Sequence, residues 1–238
     1  MDNRLPSAIL FDMDDTILDD TSGGPACWEE VCNYHQSQLV GVMPKQLCDS
    51  ILNQAKWYWS DIERHRVGRL NLSQARRDIV IAALQQHGLD NSDTAHSIAD
   101  LYTARREQLI QPFSGALDTL QHLREQNIRL VLITNGNGEA QRRKIDRFGL
   151  GRYFEFILIE GEFGVGKPDE RVYRHALTQL DLLPSQVWMV GDNLEWDVAA
   201  PQRLGIFGIW NDFKAGGLSA TANVRPDRII QSITELVM

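Results

Sequence analysis

A chain of 238 residues has room for one large hydrophobic core or two modest ones. Hydrophobic residues make up 43% of it and charged residues 24%, with 18 glycines and 8 prolines scattered along its length, a composition that excludes long disordered or low-complexity tracts. The formal net charge of −8 argues against a nucleic-acid polymer as partner, whereas a small phosphate compound stays admissible because a bound cation reverses the sign of an acidic pocket.

In chain order, the first apolar run is Ala8 to Phe11, rich in large hydrophobics without strict alternation, and it reads as a strand buried on both faces. More than 100 residues separate it from the next such run, far beyond an ordinary βα connection, so the interval needs structure of its own. Within it, Ala26 to Leu39, Lys45 to Trp59, Ser73 to His87 and Asp93 to Ile110 have the apolar spacing of helices, and no strand pattern intervenes. After it, Ser114 can cap a helix carrying Leu117, Leu120 and Leu123. Four further strands are expected at Leu130 to Ile133, Phe156 to Ile159, Val187 to Val190 and Ile206 to Trp210. Gly149 and Gly205 suit helix ends, Pro168 suits a first helical turn, and Pro201 should kink or shorten the helix after Asp192. This order predicts a doubly wound, Rossmann-like α/β core with a parallel sheet, made of residues 1–17 and 111–238 and interrupted by an all-helical insert at 18–110.

Cys27, Cys32 and Cys48 are odd in number and lack C-x-x-C spacing, so they read as reduced thiols. With no signal-peptide pattern and no apolar run near the roughly 18 residues of a membrane span, a cytoplasmic protein without membrane contact is expected. The six histidines, His35, His65, His87, His96, His122 and His175, fall outside the motifs below and are assigned neither to catalysis nor to metal.

The segment Ile9-Leu10-Phe11-Asp12-Met13-Asp14-Asp15-Thr16 sets two carboxylates two residues apart where the first strand ends. In extended chain, positions i and i+2 point the same way, and the carboxyl ends of the strands are where open α/β sheets bind ligands. Such a pair suits phosphoryl transfer, in which one carboxylate attacks phosphorus and the other moves the proton. An isolated D-x-D is more often a solvated turn. Here three further elements accompany it. Thr134 and Asn135 end the second strand with a hydroxyl and an amide able to bind a phosphate oxygen, Lys167 offers an ammonium, and Gly191-Asp192 sets another carboxylate after the fourth strand.

This ordered set, D-x-D-x-T, then a strand-ending Thr, then Lys, then an acidic G-D motif, resembles the haloacid dehalogenase-like hydrolase superfamily over essentially the whole chain. The resemblance implies that Asp12 is the nucleophile that becomes an aspartyl-phosphate and that Asp14 is the general acid and base. It implies that Thr134 and Lys167 bind phosphate beside Asn135. It further implies that Mg²⁺ is held by Asp12, Asp192 and the main-chain carbonyl of Asp14, with Asp197 acting behind these ligands. The insert resembles the helical cap that many members carry after the first motif, where it excludes water and contacts the leaving group. Trp28, Trp57, Tyr58, Trp59, Arg64, His65 and Arg66 are candidates for its inner face, although aromatic residues at helical spacing more often pack a core.

The implied activity is Mg²⁺-dependent hydrolysis of a small phosphorylated metabolite, such as a sugar phosphate or a nucleotide. Members that dehalogenate lack the acid supplied here by Asp14, while a phosphomutase keeps both acids and is the alternative within the superfamily. Two other classes compete. Gly161 to Lys167 matches G-x-x-x-x-G-K, but Pro168 has neither the hydroxyl nor the N–H of a phosphate loop. A receiver-like phospho-Asp signalling module needs its Asp on a later strand and has no such insert, and Leu158-Ile159-Glu160 offers none.

Overall fold

The strand β1 (Ala8–Phe11) has four buried residues in succession, which is what a strand flanked by partners on both sides and covered on both faces requires. In the computed structural model, which describes residues 5–237, it is the third strand of a six-stranded sheet. Two short strands, β2 (Leu18–Asp19) and β3 (Gln111–Pro112), pair antiparallel as a separate ribbon. The main sheet is completed by β4 (Arg129–Thr134), β5 (Phe156–Ile159), β6 (Val187–Gly191), β7 (Phe207–Asn211) and β8 (Arg228–Ile230), in the order β5-β4-β1-β6-β7-β8 with every neighbour parallel. The chain runs from β1 outward to β4 and β5 on one side and to β6, β7 and β8 on the other. The order therefore reverses at β1, and the crevice at the carboxyl ends of β1, β4 and β6 is the switch point of a doubly wound fold. All five expected strands are present. β8 was not foreseen.

Two compact units divide the chain: one runs through Asp19 and resumes at Gln111, and the other spans Asp20–Ile110. Leu18 and Asp19, expected at the start of the insert, belong with the sheet because they pair with Gln111 and Pro112. The second unit contains five helices, α1 (Gly24–Tyr34), α2 (Pro44–Ser60), α3 (Ile62–Gly68), α4 (Leu72–Gln85) and α5 (Ser92–Leu109), and no strand. Their apolar faces meet in one core in which Val31, Leu47, Ile51, Val80, Ala83 and Ile98 are fully buried. Asp61, Asn71 and Asn91 accept from the N–H groups of Arg64, Gln74 and Thr94, capping α3, α4 and α5. The helix α1 stops at Tyr34, short of the expected Leu39, and gives way to a 3₁₀ turn at Gln36–Gln38. α3 escaped the periodicity because it is only seven residues long and a single residue, Asp61, separates it from α2.

Returning to the sheet unit, α6 (Ala116–Glu125) is preceded by Gly115 rather than capped by Ser114. Gly115 has φ 75°, and a Cβ there would meet Thr234 at 2.9 Å, so glycine suits this entry turn on both counts. α7 (Gly138–Arg147) is capped by Asn137, and Gly149 follows it in the left-handed region as expected. After the single turn α8 (Glu160–Phe163), α9 (Glu170–Leu180) begins two residues beyond Pro168, because the Asp169 carboxylate accepts from the N–H of Arg171. A wide π turn at Leu194–Ala199 runs into α10 (Ala200–Gln202), which holds Pro201 and ends after three residues. The faces of the sheet bury Leu10, Val131, Tyr173, Val187 and Met189 in a core of their own. Among the described residues no helix is long and apolar enough to cross a membrane.

Candidate active site

Asp12 is the first residue past β1, and its N–H continues the strand pairing by donating to Val190 O at 2.9 Å. The carboxylate is nearly buried: Oδ1 accepts from Lys167 Nζ at 2.7 Å and Oδ2 from the Thr16 hydroxyl at 3.1 Å. Burial pushes the Asp12 carboxyl up to about 6, with Lys167 opposing the shift and the charge of Asp197 adding to it.

Lys167 is 1% exposed, and its ammonium bridges Asp12 and Asp197, the latter at 2.6 Å. Burial alone would lower its pKa, but the two carboxylates outweigh that and hold it above the ordinary lysine value. A lysine this deep needs its main chain fixed. Asn135 does so with its side-chain amide, accepting from Lys167 N at 2.8 Å and donating to Lys167 O at 2.8 Å. The amide of Asn135, expected to meet a phosphate oxygen, contacts the Lys167 main chain where the loops after β4 and β5 meet, and its Nδ2 has a second N–H besides the one given to Lys167 O. Gly166 makes the approach possible, since a Cβ there would lie 2.5 Å from Asn135 Oδ1.

Asp197, fully buried, gives one oxygen to Lys167 and accepts with the other from Asn193 N at 3.0 Å. The main chain of Asp192 is anchored by Trp210, whose indole N–H donates to Asp192 O at 2.7 Å. Carboxylate oxygens of Asp12, Asp192 and Asp197 all lie within 4.8 Å of one another. Burial and then the charges of Asp12, Asp197 and Asp15 push Asp192 up to about 8. Crowded carboxylates of this kind fit a small hard cation with oxygen ligands. Asp12 and Asp197 each have hydrogen-bond partners on both carboxylate oxygens, so hydrogen bonding does not rank the three as cation donors.

Asp14 departs from the simple strand geometry. The strand ends at Phe11, Ile17 N and Leu18 N both donate to Met13 O, and Asp15 turns the chain with φ 58°. The Asp14 carboxylate is paired with Lys144 Nζ at 2.8 Å and accepts from Gln141 Nε2 at 2.9 Å. The same Gln141 amide donates to the Thr134 hydroxyl at 2.7 Å, so one buried side chain from α7 links the two predicted residues. The loop expected to be confused with a phosphate cradle is occupied otherwise. Gly161 packs so closely that a Cβ would lie 2.5 Å from Gly138 N, and Glu160 accepts from Gly136 N at 2.8 Å.

Asp12, Lys167 and Asp197 are thus in direct contact, Asp192 is beside them, and Asp14 and Thr134 are joined through Gln141. Sequence reading missed Gln141, Lys144 and Asn193. Lys144 sits in the basic run Arg142-Arg143-Lys144, whose spacing singles out none of the three, and glutamine on a polar helix face gives no signal at all.

The profile of the haloacid dehalogenase-like hydrolases matches residues 6–205. The phosphoserine phosphatase of Thermus thermophilus is 28% identical over 221 residues, covering 86% of this chain and 88% of its own. The N-acylneuraminate-9-phosphatase of Rattus norvegicus is 27% identical over 235 residues, covering 96% and 91%. Among solved structures, the magnesium-bound HAD-hydrolase YfnB of Bacillus subtilis superposes with a TM-score of 0.75 at 20% identity, covering 98% of this chain and 97% of its own.

Proposed function

Because this chain belongs to the haloacid dehalogenase-like hydrolases, whose profile spans residues 6–205, we propose that it hydrolyses the phosphate monoester of a small metabolite with the aid of Mg²⁺. The observation that carries this reading is the buried Lys167 ammonium shared by Asp12 and Asp197. It leaves Asp12 oriented and partly neutralised at a switch point, beside the further carboxylate of Asp192. The relatives named above act on phosphoserine and on an N-acylneuraminate 9-phosphate, both small phosphorylated metabolites, which supports the substrate class.

In the proposed reaction an Asp12 oxygen attacks phosphorus, the bond from phosphorus to the ester oxygen breaks, and Asp14 delivers its proton to the departing alkoxide. Water then attacks the aspartyl-phosphate as Asp14 accepts a proton from that water, and the P–O bond to Asp12 breaks to release phosphate. Lys144, 2.8 Å from the Asp14 carboxylate, and Gln141, 2.9 Å from it, are proposed to keep that carboxylate in position for both proton transfers. Thr134 and Lys167 are proposed to hold the phosphoryl oxygens, and Asn135 to keep Lys167 in place. Asp12, Asp192 and the main-chain carbonyl of Asp14 would hold the Mg²⁺, whose charge offsets that of the phosphate. Asp197 is proposed to orient Lys167. Three free, buried thiols support a reducing, cytoplasmic setting.

The test is a panel of phosphate monoesters assayed for released phosphate with and without Mg²⁺, with transfer to a second alcohol measured in parallel. Net phosphate release that disappears in Asp12→Asn, with the fold intact by circular dichroism, is the expected result. Wild-type turnover in that variant rules out the nucleophile, and transfer without net release points to a mutase.

A further inference from the structure

Asn211, the last residue of β7, is 1% exposed. Its Nδ2 donates to Asp15 O at 3.2 Å, while its Oδ1 is buried and has no hydrogen-bond partner among the described residues. Exchanging the two amide atoms would set one acceptor against another, so the nitrogen belongs on the Asp15 side. A buried acceptor left unmet lowers stability, and an apolar side chain of similar shape would avoid that cost. What the amide supplies instead is one hydrogen bond to a turn of the active site.

That turn is strained. Asp15 has φ 58°, in the left-handed region that residues other than glycine adopt sparingly, although aspartate tolerates it better than most. Its N–H donates to Leu18 O at 2.6 Å and its carbonyl accepts from Asn211, so the residue is tied at both ends. Asp14 precedes it, and Thr16, whose hydroxyl donates to Asp12 Oδ2 at 3.1 Å, follows it. A shift at Asp15 thus reaches both carboxylates of the D-x-D pair. β6 lies between β1 and β7 in the sheet, so the loop after β1 extends past β6 to meet Asn211. Trp210, the residue before, holds Asp192 O. Consecutive side chains at the end of β7 therefore grip main-chain carbonyls in the loops after β1 and β6.

We propose that Asn211 is a positioning residue for the hydrolysis described above: by holding the Asp15 carbonyl it keeps the turn that carries Asp14 and Thr16 in its working shape. This rests on the phosphate-ester reading for the reaction, and on the hydrogen bond alone for the turn. Asn211 bonds to neither reacting carboxylate, so its loss should slow the chemical steps and leave the hold of Thr134 and Lys167 on the phosphoryl group intact. A residue that only filled space would be improved by leucine, with no effect on turnover.

The experiment compares the wild type with Asn211→Leu, which is close to asparagine in shape but has no polar atoms, and with Asn211→Ala. Melting curves, hydrogen exchange of residues 13–18 in metal-free buffer, and kcat and KM for the best ester of the panel with Mg²⁺ are measured for each. Asn211→Leu is expected to melt no lower than the wild type, and the turn to exchange at least about fivefold faster with β4 unchanged, as the loss of one hydrogen bond implies. Its kcat should fall roughly fivefold to a hundredfold while KM stays within about threefold. If the leucine variant does not fold, the alanine variant is read for exchange and kinetics in the same way, and if neither folds the residue is structural and the proposal falls. It is also overturned if a folded variant keeps wild-type exchange in the turn, if its kcat is that of the wild type, or if KM alone changes. Absence of phosphate release from every ester by the wild type, or full activity of Asp12→Asn, would instead remove the hydrolase reading, and the exchange measurement would still decide whether Asn211 holds the turn.

Discussion

Asp12, raised to about 6, and Asp192, raised to about 8, keep protons in the folded chain at a pH where an unfolded aspartate, near 3.8, has lost them. Such groups contribute stability that is complete below the unfolded value and is lost as pH rises through the folded values. Between about pH 5 and pH 8.5, chelator-treated protein should therefore melt at falling temperature, and Mg²⁺ should raise the melting temperature more at the upper end, where it competes with fewer protons. Scanning calorimetry at both pH values checks this, and an Mg²⁺ effect larger at the acidic end would contradict it. Asn135 provides a second test. Its two hydrogen bonds to the Lys167 main chain are replaced by nothing in Asn135→Ala, so stability should drop by about 1–3 kcal/mol and kcat should fall as Lys167 loosens. Unchanged kcat would mean that Lys167 is held without the clip. Asp12, Lys167 and Asp192 were legible as an ordered set of motifs, Asp12 and Asp192 because each directly follows a strand and Lys167 because it precedes a proline and a helix. What Asn135 touches was not, since a polar side chain at a strand end gives the same local signal whether it meets a ligand or a neighbouring loop.

At the level of elements, strands buried on both faces announce themselves as unbroken apolar runs, which is why β1, β4, β5, β6 and β7 could be read directly. β8 has three residues, only one of them buried, and lies at the sheet edge, so neither length nor pattern marked it. Local capping competed with tertiary fit in two places, at Gly115 and at Asp169, and each time the helix began one or two residues later than expected. The side chains of α2 and α3 show the same limit. Trp57 and Arg64, candidates for an inner face, stack on each other at 3.8 Å, and Arg64 donates to the carbonyls of Trp57 and Tyr58, serving the end of α2. Trp28, Trp59 and His65 line a pocket of the helical unit. The end of β6 depends on Gly191 in a way the sequence does not advertise, because a Cβ there would lie 2.2 Å from the Asp197 carboxyl carbon. Gly191→Ala must push Asp197 away from Lys167 and Asn193. It should cost about 1–3 kcal/mol from overpacking and depress turnover of every ester alike. Equal loss across esters, read as kcat/KM, separates this from a change in preference.

For the molecule as a whole, the insert's length announced a second unit before any contact was known, and each unit proves to bury its own core. The ribbon of β2 and β3 makes the insert removable in principle. Phe113 N donates to Ile17 O at 2.9 Å, so Ile17 and Phe113 form a hydrogen-bonded pair. Antiparallel pairs alternate, which makes Leu18 and Pro112 the pair without mutual hydrogen bonds, where a proline costs nothing, and Asp19 and Gln111 the next bonded pair. A bonded pair is the one that a two-residue type I′ turn closes, and Asn-Gly is the sequence that favours it. Replacing Asp20–Ile110 by Asn-Gly should then leave a sheet unit that melts cooperatively and still binds Mg²⁺, with Asp12→Asn weakening that binding. If the helical unit selects the ester, the shortened protein should also retain release of phosphate from an activated ester such as nitrophenyl phosphate while its preferences among natural esters flatten. Circular dichroism melts, metal titration and a rate panel read these three properties separately. A shortened chain that is unfolded would show that the sheet unit depends on the insert for stability, and one that folds with its ester ranking intact would remove the helical unit from the choice of substrate.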